Sequence, residues 1–137
     1  MRRYDLIAFA TASHLAQKRI LVIAVLVIAI SCLAGAAIAV AATFPLAALV
    51  ALVFRFPIPF GSYMSGPSAV VPALFGAAFY GALGGFPVQA ILGGIAGVLA
   101  SRSGALNRRR AVLTYAVLAA LPGVLILSIL DWIIGPW

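Results

Sequence analysis

The sequence predicts an all-α fold, a small polytopic membrane bundle of about five transmembrane helices. Three observations carry that reading. Hydrophobic residues make up 66% of the chain and charged residues only 8%, and the mean hydropathy is +1.24. Charge-free runs are long: 35 residues from Ile20 to Phe54, 41 from Gly61 to Ser101 and 20 from Ala111 to Leu130. About 20 apolar residues cross the hydrocarbon core as a helix. Open backbone groups find no partners in lipid, so runs of this length must be helical. No two-residue alternation of apolar and polar positions appears, which argues against a β-barrel.

Residues 1–19 mix Leu6, Ile7, Phe9 and Leu15 with Arg3, Asp5, His14 and Lys18. They are expected to form a cytoplasmic or interfacial segment, with residues 20–137 as a single transmembrane domain. The apolar run that follows Arg19 is about 22 residues to Ala41. A secretory signal core is usually 7 to 15, so an uncleaved first helix is expected over Ile20–Ala42. Phe44-Pro45 then disfavours continuation, because the proline ring removes a donor and restricts the residue before it. A second, short helix is expected from Pro45 to Phe54. The stretch RFPIPFGSYMSGPS at 55–68, with three prolines and two glycines, reads as an irregular loop. A third helix over Ala69–Leu83 meets Gly84-Gly85-Phe86-Pro87, and a fourth follows to Ala100. A basic loop at 101–110 leads to the last helix, Ala111–Ile134. The rival count keeps three full spans, with residues 45–54 and 87–100 as re-entrant segments.

The formal charge of +7 belongs to topology and not to nucleic acid, since no folded basic surface is available to carry it. If both Phe-Pro sites were external hairpins, all nine Lys and Arg residues would lie on the cytoplasmic side, as positive-inside sorting requires. The N-terminus is then cytoplasmic and the C-terminus external, with Trp132 and Trp137 at the headgroups of what is expected to be a bacterial cytoplasmic membrane. Offset by 42 positions, Phe44-Pro45 aligns with Phe86-Pro87, which suggests a weak tandem repeat of two hairpins. Interrupted helices in corresponding positions are a pointer to transporter substrate sites; the plainer reading is that a tight hairpin needs breakers.

Catalytic signals are sparse, and no enzyme activity, cofactor or metal is expected. On this topology the two carboxylates, Asp5 and Asp131, lie on opposite sides of the membrane and cannot act as an acid–base pair. His14 has no second metal-ligating neighbour, and Ser65-Gly66 lacks the histidine that a serine nucleophile would need. Cys32 is read as a small packing residue. The loop at 54–68 gathers Arg55, Ser62, Tyr63 and Ser65 among aromatics, a combination suited to an anion or a lipid headgroup. Gln89 is the amide inside an apolar run, two residues after Pro87, and wants a partner helix or a cavity. Gly93 and Gly97 form a GxxxG pair, Gly81 and Gly85 another, and Ser31, Gly35 and Ala39 share the same spacing. Small residues so spaced let helices approach closely in lipid, within the chain or between subunits. Pro72 and Pro122 are expected to kink their helices.

Two functions fit these features. One is a transport, permease or channel-type protein, or a membrane subunit of one, working as a homo-oligomer or with other membrane subunits. The other is a non-transporting accessory protein packed against a larger membrane complex.

Overall fold

The computed structural model describes residues 3–59 and 64–134, with side chains over 16–59, 64–129 and at Ile133. Helix α1 runs from Arg3 to Val53. A 3₁₀ turn at Pro67–Ala69 opens α2, Val70–Tyr80, and a π turn at Gly81–Gly85 joins α2 to α3, Phe86–Arg102. Helix α4 covers Arg108–Ile134. Three helical rods are long and apolar enough to cross a membrane: Ala16–Val53, Pro67–Arg102 and Arg108–Ile129. The described residues form no strands, only an isolated bridge between Phe56 and Met64.

Three rods replace the expected five helices. Helix α1 passes through Pro45 without a break. The reason lies in the solvent. A proline inside a helix costs about 3 kcal/mol. A hairpin tip placed in hydrocarbon would bare several backbone groups, each worth several kcal/mol. The flanking residues Ala41, Ala42, Leu46 and Ala47 offer no polar turn that would draw the chain back to water. Residues 45–53 are therefore the last turns of α1, neither a separate helix nor a re-entrant segment. Residues 87–100 likewise belong to α3. The segment before residue 20 is helical and continuous with the first rod.

The second Phe-Pro does interrupt its helix, but as a kink. Gly84 takes φ 135° and ψ −8°, and the Phe86 N–H reaches back to the Gly81 carbonyl, closing the π turn. Helices α2 and α3 do not fold back on one another; both pack along α1. The expected tandem hairpins are absent for that reason. A Cβ at Gly84 would meet nothing within 4 Å, so the position is glycine for its backbone alone. Gly84→Ala is expected to cost about 1–2 kcal/mol, read as a lower unfolding midpoint in detergent.

Packing fixes the directions. Gly97 lies against Ser31, and Gly93 against Gly35 and Ala39, so α3 descends antiparallel to α1. Higher up, Ala47 and Ala51 of α1 meet Ala69, Ala73 and Ala77 of the second rod. Helix α4 runs parallel to α1, with Ala116 and Ala120 against Ala39 and Ala42. The core is built largely of alanine and glycine. In lipid no hydrophobic force drives helices together, so close contact between small residues supplies the cohesion.

The antiparallel register brings the two Phe-Pro sites face to face. The Phe44 and Phe86 rings lie 5.9 Å apart, tilted by 41°. The similarity at offset 42 thus marks one level of the bundle, met from two rods. Pro72 is the third residue of α2, in a first turn where few N–H partners are required. Pro122 lies inside α4.

At the far end, the connection from Phe54 to Gly66 is tied to α1 through the Gly66 N–H, which donates to the Ala51 carbonyl at 2.9 Å. Phe56 turns inward, 1% exposed, into the alanine cluster with Val124. It is a plug for the bundle. Asp131 and Trp132 have undescribed side chains, and Trp137 lies outside the described residues.

Candidate functional site

The candidate site begins with the kink. The π turn shifts the start of α3 sideways, and Gln89 follows two residues after Pro87. The Gln89 side chain is only 4% exposed. Its Nε2 donates to the Ala120 carbonyl of α4 at 3.2 Å. Its Oε1 has no hydrogen-bond partner. The amide orientation follows from that geometry, because the opposite assignment would set two acceptor oxygens against each other. A Cβ at Gly123 would overlap the Gln89 amide, so Gly123 makes the room in which Gln89 reaches α4.

A crevice of about 410 Å³ lies beside this amide. Thr43 of α1, Phe86 of α3, and Pro122 and Gly123 of α4 line it. Val88, Leu92 and Ile126 also line it and are exposed on the outer surface, so the crevice opens sideways, toward lipid. The Thr43 hydroxyl is already committed to the Ala39 carbonyl at 3.1 Å. The site is therefore an apolar slot with one buried acceptor, beside the π-turn kink of the second rod and against Pro122 and Gly123 of α4.

No protein-family model, curated protein or solved structure matches this chain. Its function must be argued from the site.

The structure separates the residues grouped by sequence. Arg55 stands at the opposite end of the bundle from Arg102 and Arg108, and it is exposed. Its backbone carbonyl, not its guanidinium, accepts the hydrogen bond from Ser128 Oγ. Ser65 is exposed, while Ser62 and Tyr63 lie outside the described residues. Gln89 is not part of that group; it sits deeper, near the Phe-Pro level. Gly35, Gly93 and Gly97 are taken up in the α1–α3 contact of the same chain. Gly81 and Gly85 serve the kink: a Cβ at Gly81 would strike the Phe86 ring, and one at Gly85 would lie 2.9 Å from the Tyr80 carbonyl oxygen. Gly123 and Thr43 were not singled out from the sequence. Both matter only through a neighbour on another helix, and no local pattern announces that.

Proposed function

We infer that this is a membrane-embedded transport or channel-type protein, or the membrane subunit of one, with its N-terminus cytoplasmic and its C-terminus external. The observation that supports this reading is Gln89: a buried amide with an unused acceptor beside a crevice at the kink of the second rod. A polar group in the bilayer interior is costly and generally faces a partner or a cavity, and broken helices recur at substrate sites. Three rods enclose no pathway of their own. The crevice opens laterally, so a pathway needs further copies of this chain or other membrane subunits to close it.

A second reading, a non-transporting accessory subunit, is favoured by a different observation. Residues 16–26 of α1 are exposed all round, including Ile20, Leu21, Val22, Ile23, Val25 and Leu26. That stretch contributes nothing to the bundle and is available to another membrane protein.

Native mass spectrometry of the protein extracted with its surrounding lipid separates the two. Transport is expected to give a self-oligomer, or a complex with transporter subunits, carrying a reproducible small-molecule adduct. A stoichiometric complex with one larger membrane protein and no adduct would support the accessory role. A monomer with lipid alone would overturn the transport reading.

A further inference from the structure

We propose that the groove between α1 and the first turns of α4 holds one anionic phospholipid, its phosphate on Arg108 and Arg109 and an acyl chain against α1. The groove measures about 370 Å³ and is separate from the Gln89 crevice. Arg108 and Arg109 line it together with Ile30, Ala34, Ile38 and Val112. Val27 and Ser31 line it too, and the Ser31 hydroxyl is committed to the Val27 carbonyl. Its lining therefore pairs two exposed arginines with a largely apolar channel, the complement of a charged headgroup and its chain.

Charge accounting strengthens the case. Arg108, Arg109 and Arg110 are consecutive in the first turn of α4, which has no acidic residue. Three adjacent cations repel one another and oppose the positive end of the helix dipole. The chain has only two carboxylate side chains, Asp5 and Asp131. Asp131 is 21 residues along α4 from Arg110, about 32 Å at the helical rise. Asp5 precedes Ser31, which lines the groove, by 26 residues on α1, about 39 Å. Neither reaches the arginines, so their counter-charge must come from outside the chain.

The depth of the groove selects a lipid over a free ion. Val27, Ile30 and Ser31 of α1 line the same groove as Arg108 and Arg109, yet α1 stays apolar beyond them as far as Ile20. The arginines thus stand on the flank of an apolar helix and not at its end. Basic pockets between transmembrane helices are suited to phosphate headgroups, and guanidinium pairs with phosphate in bidentate geometry. The adjoining apolar channel gives a chain-bearing phosphate a further contact that inorganic phosphate lacks.

The test uses the whole protein in nanodiscs of equal phosphatidylcholine and phosphatidylglycerol, released and weighed by native mass spectrometry. The expected result is one retained phosphatidylglycerol. Arg108→Gln with Arg109→Gln should lower its retention about tenfold, the worth of a charge-assisted hydrogen bond. Ala34→Trp should do the same with every arginine in place, because it fills the channel. Ile30→Trp, on an exposed and readily substituted position, repeats that test should Ala34→Trp fail to fold. Equal retention of phosphatidylcholine would overturn the proposal. So would retention that survives channel filling, which would mean diffuse attraction to a basic surface, or displacement of the lipid by millimolar inorganic phosphate.

Discussion

Gly97→Ala is expected to destabilise the bundle by about 2–3 kcal/mol, the upper part of the range for overpacking. A Cβ at Gly97 would run into the Ser31 carbonyl oxygen, with the Ser31 carbonyl carbon 2.8 Å away. Backbone atoms within a helix cannot step aside, so α1 and α3 must separate along their contact. The adjacent position supplies the control. A Cβ at Gly94 meets Cys32 Sγ at 3.1 Å, and a thiol rotates. Gly94→Ala should therefore cost less than about 1 kcal/mol. Denaturant titration in mixed micelles, followed by loss of helix and by exposure of Cys32 to a thiol reagent, measures both. Equal effects at the two positions would sink the claim that α1 and α3 meet backbone to backbone.

Gln89→Met is expected to split function from stability. The substitution removes the bond from Nε2 to the Ala120 carbonyl, and interhelical bonds in membranes average about 0.6 kcal/mol. It also removes an unpartnered buried acceptor, whose desolvation costs about 1–3 kcal/mol. The balance favours the variant, so folded protein should be unchanged or more stable by about 1 kcal/mol. Methionine is unbranched and adapts to irregular space, which spares the tight contact at Gly123. A ligand that donates to Oε1 should lose about tenfold in occupancy, the upper end of what one neutral hydrogen bond supplies. The readout is the amount of small-molecule adduct per folded protein. Unchanged occupancy would remove Gln89 from the site, and a collapse of folding would make it interhelical glue.

The all-helical class and helices long and apolar enough to cross a membrane were legible in the sequence. The helix count was not. Pro45 and Pro87 follow the same residue in similar surroundings, yet one is absorbed and the other marks a kink. The difference lies just upstream. Ala42 and Thr43 keep helical geometry before Phe44, and the Thr43 hydroxyl bonds inside the helix. Gly84 instead supplies a positive φ before Phe86. The candidate site stayed hidden for another reason. Thr43, Gln89 and Gly123 come from three different rods, and their meeting depends on the register that the Gly35, Gly93 and Gly97 contact imposes. Arg55 and Ser65, singled out beside Gln89 as candidate site residues, lie outside this crevice.

The length of α1 bears on how copies of the molecule feel one another. From Ile20 to Val53 it is a charge-free rod of 34 residues, roughly 51 Å at the helical rise, against a hydrocarbon core of about 30 Å. Even the steepest ordinary tilt, about 40°, leaves about 10 Å in excess. A bilayer that swells to cover the surplus is strained in a collar around each molecule, at a fraction of a kcal/mol per Å. Two collars that overlap strain less lipid than two apart. The bilayer itself then draws such rods together elastically, at distances where the chains do not yet touch.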